Sequence, residues 1–206
     1  MIDTYSVDKN LEVVLNTAKF IGPGIQENVY LKEIKHGNTD KGNEFLAFYF
    51  EDAAGFKLSH TEWPVNAMKP LEEMTEVEAT NYLTKKDNQK RRIGQIVCTF
   101  IPKDNYNFVV PSNTFKEYAE NIIRLLEGKT EDIPIRVKVV YNNKNFTTLP
   151  NYWKYTFIEQ MSIPSEKSSI KPLNIDKFVR TTPDLISNGI DSLSPIKEVS
   201  KEDLPF

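Results

Sequence analysis

The order of two hydrophobic periodicities along the chain constrains its fold more than any other feature. Between Gly22 and Trp63 the sequence predicts strands at residues 25–36, 44–50 and 56–63, because β-branched and aromatic residues alternate there between short turn-forming segments. A helical stretch follows, and alternation returns at residues 135–141 and again within residues 146–158. Strands, then helices, then strands again indicate a mainly β protein with inserted helices.

The alternation also predicts which side chains share a face of each strand. In the first strand Ile25, Val29 and Leu31 are predicted to point inward, with Tyr30 and Lys32 less buried. In the second, one face is predicted to carry Leu46, Phe48 and Phe50, and the other Phe45, Ala47 and Tyr49. In the third, Phe56, Leu58 and His60 are predicted to lie opposite Lys57, Ser59, Thr61 and Trp63, of which Lys57 and Trp63 point outward. At residues 135–141 the pattern predicts a half-buried strand with Arg136 and Lys138 on its outer side.

Two helices are predicted between the strand groups. Asp87 is a candidate N-cap for the first, because Ile93, Ile96, Val97 and Phe100 recur at helical spacing before Pro102. Ser112 or Thr114 can cap the second, which carries an apolar stripe through Leu126 and ends at Gly128. This order predicts an α+β chain built on a five-stranded Greek-key barrel of the oligonucleotide-binding (OB) type, with a helical insertion at about residues 64–130 between strands 3 and 4. Residues 1–163 would form that domain, and residues 164–206, which lack periodicity, a disordered tail.

Composition bears on the cellular compartment of the protein and on the charge of any nucleic-acid-binding surface. The net charge is −3 with a pI near 5.6, so a nucleic-acid-binding face would have to come from segregation of charge. Cys98 is the only cysteine, which excludes an intrachain disulfide and fits a reducing cytoplasm. No apolar run resembles a signal peptide or reaches membrane-spanning length, so no membrane association is expected.

Catalytic, metal and cofactor motifs are not evident, and neither an enzyme activity nor a cofactor is predicted. His36 and His60 stand about two strands apart without a cysteine partner for zinc, and Gly22-Pro23-Gly24 lacks the rest of a dinucleotide fingerprint. Cys98 falls on the apolar helix and is expected to be buried. The acidic run Glu72, Glu73, Glu76 and Glu78 leaves two alternatives open, a divalent-metal site as in a nuclease or a solvated helix face.

Aromatic rings interleaved with cations favour the binding of single-stranded nucleic acid, because rings stack on bases while Lys and Arg contact phosphates. The predicted stacking residues are Tyr30, Trp63, Phe146, Tyr152 and Trp153. The predicted phosphate contacts are Lys32, Lys57, Lys90, Arg91, Arg92, Arg136, Lys138 and Lys144. Core packing explains any single ring as well as stacking does, so the pattern as a whole carries the prediction.

The chain ends in Glu202, Asp203, Leu204, Pro205 and Phe206. An aromatic terminal residue preceded by acids can be captured by an apolar pocket rimmed with Arg or Lys. This ending resembles the C-terminus of bacterial single-stranded DNA-binding proteins. The segments Gly22-Pro23-Gly24-Ile25-Gln26-Glu27-Asn28-Val29, Gly42-Asn43-Glu44-Phe45-Leu46, Ser59-His60-Thr61-Glu62-Trp63 and Val139-Val140-Tyr141-Asn142-Asn143-Lys144 resemble the single-stranded DNA-binding proteins of tailed bacteriophages.

The resemblance spans about residues 20–160 and implies an OB fold that coats single-stranded DNA in the host cytoplasm during replication, recombination or repair. It also implies that the tip recruits replication proteins such as a polymerase, helicase or primase, and it is compatible with a homo-oligomer. Two alternatives remain: a virion or adaptor protein that binds protein instead of DNA, and a metal-dependent nuclease using the acidic run.

Overall fold

A computed structural model describes residues 19–101 and 112–180, and the strands in this part of the chain form one antiparallel sheet of six. The strands are β1 (Gly24–Asn38), β2 (Glu44–Asp52), β3 (Lys57–Glu62), β4 (Ile135–Tyr141), β5 (Thr147–Thr148) and β6 (Ile158–Gln160). Their spatial order is β3-β2-β1-β4-β5, and β6 pairs with β4 outside that path. The prediction of a mainly β protein is confirmed.

Strand β1 pairs with two neighbours over different parts of its length. Its first part pairs with β4 from Gly24 to Val29, and its second part pairs with β2 from Val29 to Asn38. Each pairing contains a register shift, and Asn28 within the first has a φ of 55°. Asparagine tolerates this left-handed conformation, and such irregularities bend a strand and increase its twist.

The two faces of the strands divide largely as predicted, but Ala47, on the face of Phe45 and Tyr49, is buried as well. Leu46, Phe48 and Phe50 of β2 are buried, as are Leu58 and His60 of β3. Val29 and Leu31 of β1 are buried against them. On the opposite side of β3, Lys57 and Ser59 are exposed.

Among the described residues between β3 and β4 there are two α-helices, as predicted: α1 (Glu76–Phe100) and α2 (Phe115–Leu126). Their apolar stripes complete the core, with Ile93, Ile96, Val97 and Phe100 from α1 and Ala119, Ile122 and Leu126 from α2. The predicted Thr114 cap of α2 is confirmed by its hydrogen bond from the Glu117 backbone.

The predicted start of α1 at Asp87 is wrong. The helix begins after Thr75, whose side chain accepts from the Glu78 backbone while the Glu78 carboxylate accepts from the Thr75 backbone. This capping box satisfies helix donors without any core contact. The first buried residue of α1 is Gln89, so capping starts the helix well before its amphipathic stripe begins.

Strand β4 departs from its predicted half-buried character, because all of its residues from Ile135 to Val140 are buried. The covering element is the C-terminal strap, defined here as residues 164–180. In the strap a short 3₁₀ helix (Ser165–Lys167) precedes the buried Ile170, and the Tyr141 backbone donates to the Lys177 carbonyl. The prediction that the folded domain ends at residue 163 is therefore wrong for residues 164–180.

The sheet is not closed by hydrogen-bonded pairing of its end strands. Strands β3 and β5 nevertheless come together, and the His60 Nδ1 atom lies 3.1 Å from Thr148 Oγ1. We call this meeting line the seam. No helix in residues 19–101 or 112–180 combines the length and apolar character needed to cross a membrane.

Candidate nucleic-acid interface

The outward side chains of β1, β2 and β3 form a surface that combines aromatic rings with lysines. We call it the outer face. Its cross-strand rows follow from the pairing: Lys35 beside Ala47 and Thr61, Glu33 beside Tyr49 and Ser59, and Tyr30 beside Glu51 and Lys57. Phe45 and Trp63 continue it beyond the end of β3.

Aromatic rings are held in position across this face. The Phe45 and Trp63 rings meet edge to face with centroids 6.0 Å apart. Gly37 lies opposite Phe45, and a Cβ at Gly37 would stand 3.3 Å from the Phe45 ring, so the glycine lets that ring lie across β1. Trp63 remains 48% exposed, which leaves a ring surface available for stacking.

The charge of the outer face is close to balanced. Lys32, Lys35 and Lys57 are exposed, and the Lys32 ammonium lies 5.1 Å from the centre of the Tyr30 ring. Glu33 and Glu51 lie among them. The outer face therefore offers phosphates separate lysines that lie between aromatic rings, and it does not form a continuous basic patch.

Arg136 is buried and paired inside the protein, so its predicted phosphate contact is not supported. It is 2% exposed, and its guanidinium donates to Glu27 of β1, Glu159 of β6 and the Ser165 hydroxyl of the strap. Burial alone would lower the pKa of Arg136, but the hydrogen bonds to Glu159 and Glu27 outweigh it and raise the pKa. The residue joins two strands and the strap.

Lys138 is wrong as a phosphate contact for the same reason. Its side chain and that of Asp176 in the strap are both 0% exposed, with Nζ 2.8 Å from Oδ2. The Tyr152 hydroxyl also accepts from Lys138 at 2.8 Å and donates to Asp176 at 2.9 Å. Burial and the bond to Asp176 raise the pKa of Tyr152, so it stays a neutral donor. Tyr152 therefore belongs to the anchor of the strap, and its predicted stacking role is not supported.

Arg92 is likewise engaged inside the protein. Its guanidinium makes two bonds of 2.8 Å to the carboxylate of Glu62, which also accepts from Gln89 and contacts His60. Burial alone would raise the pKa of Glu62, but the hydrogen bonds from His60 and Arg92 prevail and lower it to about 2. This network ties α1 to β3, so Arg92 is not a free cation for DNA.

The other predicted residues are accessible but lie away from the outer face. Lys90 and Arg91 are exposed on α1, where Arg91 pairs with Asp87 at 2.6 Å and covers the Trp153 ring at 4.5 Å from its centre. Lys144 and Phe146 are exposed on the β4–β5 turn. The outer face thus brings together Tyr30, Lys32, Lys57 and Trp63 from the predicted set.

Sequence reasoning did not select Lys35, Phe45 or Tyr49 as site residues. The signal was present, because the alternation of β2 already placed Phe45 and Tyr49 together on the face opposite Phe48. The pairing of β1 with β2 then sets Lys35 beside Ala47, between the Phe45 and Tyr49 positions.

Glu78 of the acidic run has a structural role at the start of α1. Glu78 caps α1 and pairs with Lys69 at 2.9 Å, and the backbone bond from Thr75 followed by the Lys69 contact lowers the pKa of Glu78 to about 2. Within residues 19–101 and 112–180 no three His, Cys, Asp or Glu side chains converge as a metal site would require. Cys98 is half-buried, and burial raises the pKa of its thiol.

The predicted interaction tip, residues 202–206, lies outside the described residues. No protein-family model and no curated protein matches the chain.

Proposed function

We propose that this chain is a single-stranded DNA-binding protein that holds the strand on its outer face without catalysis. The observation that carries the proposal is the set of rings Tyr30, Tyr49, Phe45 and Trp63, which lie on the same side of the sheet as Lys32, Lys35 and Lys57. Rings supply sequence-tolerant stacking and lysines neutralise phosphates, so binding would depend little on sequence.

The strand order supports an OB-type barrel as the scaffold. A long, bent β1 shared between β2 and β4, helices inserted between β3 and β4, and the approach of β3 to β5 at His60 and Thr148 all suit that barrel. In such barrels the exposed face around strands 2 and 3 binds oligonucleotides, which is where the outer face lies.

The biological setting follows from the resemblance to phage single-stranded DNA-binding proteins. We propose that the chain coats single strands during phage DNA replication, recombination or repair in the bacterial cytoplasm. Its tip, with Phe206 as anchor and Glu202 and Asp203 as flanking acids, would recruit a polymerase, helicase or primase. Copies of the chain coating one strand would form a homo-oligomeric assembly.

The test is fluorescence titration of the full chain with oligo-dT in the presence of magnesium. A Trp153→Phe variant leaves Trp63 as the sole tryptophan reporter, and we expect its emission to be quenched on binding. Trp63→Ala should weaken binding by about 1–3 kcal/mol, because one base would lose its stacking partner.

Tyr155→Ala is the matched control, since Tyr155 is also 48% exposed but lies off the outer face. Equal losses for Trp63→Ala and Tyr155→Ala would refute the outer face as the site. The absence of any binding would favour the adaptor alternative, and magnesium-dependent loss of the oligonucleotide would favour a nuclease.

A further inference from the structure

A groove of about 590 Å³ runs along the seam, immediately beside the outer face. Its walls come from the end of β3, from α1 and from the chain that follows β5. The residues that matter for its chemistry are Trp63, Lys85, Asn88, Arg92 and Asn151. Its volume is within the range of small-molecule sites and exceeds what a single nucleobase requires.

The buried side of the groove is fixed by a hydrogen-bonded network. His60 bridges Thr148 of β5 and Glu62, at 3.1 Å and 3.2 Å. The Glu62 carboxylate accepts hydrogen bonds from Arg92 and Gln89. The Gln89 amide also donates to the Trp63 carbonyl at 2.6 Å. Every charge of the network is paired, so the walls are set before any ligand arrives.

The open side of the groove carries uncommitted polar groups. The side-chain amides of Asn88 and Asn151 make no hydrogen bond to the described part of the chain, although each lines the groove. Each amide offers both a donor and an acceptor. Lys85 is exposed at the rim, and Trp63 joins the groove to the outer face.

These groups match an unpaired nucleobase better than a phosphate or an apolar ligand. A splayed-out base presents a flat π surface and a polar edge, and proteins read such bases by stacking plus hydrogen bonds to that edge. Trp63 provides the ring, the amides the edge contacts, and Lys85 a cation for the adjoining phosphate.

We propose that the seam groove takes one unpaired base from a strand lying on the outer face, with Asn88 and Asn151 bonding its polar edge. This inference rests on the proposed function. Stacking on the outer face alone would make binding independent of sequence. The groove would add a preference for particular bases.

The test compares oligo-dU with oligo-dC of equal length by fluorescence anisotropy, on the full chain. Uracil lacks the C5-methyl group of thymine, so the two bases have nearly the same shape and differ in the donors and acceptors of their edges. We use the ratio of the two affinities, because changes in phosphate binding cancel in it. The wild-type ratio should depart from unity by about 5-fold or more, since a good edge contact discriminates by about 1–3 kcal/mol.

The double variant Asn88→Ala with Asn151→Ala should bring the ratio to about 1. Asn151→Asp should shift it toward dC, because a carboxylate accepts from the cytosine amino group but has no donor for an oxygen. Asn81→Ala is the matched control, because Asn81 is exposed on the same helix and does not line the groove. It should keep the wild-type ratio.

A wild-type ratio of 1, or a ratio unchanged in the Asn88 and Asn151 variants, overturns the base pocket while leaving single-strand binding intact. Failure to bind either oligonucleotide overturns the proposed function and the pocket with it. Circular dichroism and the urea midpoint of each variant should match the wild type, because both amides sit at the surface of the groove.

Discussion

Replacing Asp176 with Ala should destabilise the whole protein, because it leaves a charge unpaired inside it. Asp176 and Lys138 are both 0% exposed in their side chains, and the carboxylate accepts from Lys138, the Tyr152 hydroxyl and the Leu173 backbone. After Asp176→Ala the ammonium keeps only neutral partners, the Tyr152 hydroxyl and the Lys171 carbonyl. Removing one member of a buried pair typically costs about 3–5 kcal/mol.

Urea denaturation followed by circular dichroism measures this cost. With a slope of about 2 kcal/mol per molar urea, the midpoint should fall by roughly 1.5–2.5 M. Asp87→Ala is the matched control, because its pair with Arg91 is more than half exposed and should contribute less than about 1 kcal/mol. Native-state exchange of the Tyr141 amide, which donates to Lys177, reports whether the strap has detached.

A second pair of substitutions should rescue the stability. Lys138→Met combined with Asp176→Leu removes both charges and should recover most of the lost stability, because a buried pair is often replaceable by apolar residues of similar size. If Asp176→Ala shifts the midpoint no more than Asp87→Ala, the strap is not part of the cooperative fold and the argument for its anchor fails.

Three further outcomes are expected. Single-strand affinity should fall with salt at a log-log slope of about −2, since about three lysines of the outer face each contribute roughly 0.7; an affinity independent of salt would remove phosphate contacts from the site. The pKa of Glu62 is about 2 against an ordinary 4.5, so its contribution to stability is complete above about pH 4.5 and is lost as the pH falls toward 2. This contribution of Glu62 to the free energy of unfolding is about 3 kcal/mol. In the Glu62→Gln variant the free energy of unfolding should therefore depend less on pH in this acidic range. Deleting residues 203–206 should leave folding and oligo-dT affinity nearly unchanged but abolish pull-down of replication proteins; retention of the same partners would refute the tip as the anchor.

The elements that sequence predicted best are those whose burial is set by their own alternation. Strand β3 buries every second residue, and β2 does so apart from Ala47, so Phe48, Phe50 and Leu58 could be grouped on the buried faces without knowing their partners. Helix α2 combines a clear apolar stripe with the Thr114 cap. Local pattern and tertiary burial agree in these elements, and the predictions hold.

The start of α1 was missed for a different reason. Its first turns carry no apolar stripe, so hydrophobic periodicity points to a start near Asp87. The spacing of Thr75 and Glu78 is that of a capping box, which was readable in the sequence but carries less weight than periodicity when no core contact follows.

Strand β4 could not have been read correctly from its own residues. Arg136 and Lys138 alternate with valines as they would on a solvated strand. Their partners come from far along the chain, Glu27, Glu159 and Asp176, and only the tertiary fold brings those acids to the strand. The sequence alone does not show whether a Lys or Arg side chain pairs with a distant acid inside the protein or stays available to bind a phosphate.

The assignment of some cations to internal ion pairs changes which interaction should dominate the affinity for single-stranded DNA. Once Arg92, Arg136 and Lys138 are assigned to internal pairs, the outer face keeps Lys32, Lys35 and Lys57 against Glu33 and Glu51. So small an excess of positive charge releases few counterions, and most of the affinity would have to come from stacking. It follows that Trp63→Ala should cost more affinity than Lys35→Gln at physiological salt, and that the difference should widen as salt is raised. The opposite ranking would mean that phosphates are held by cations outside the outer face.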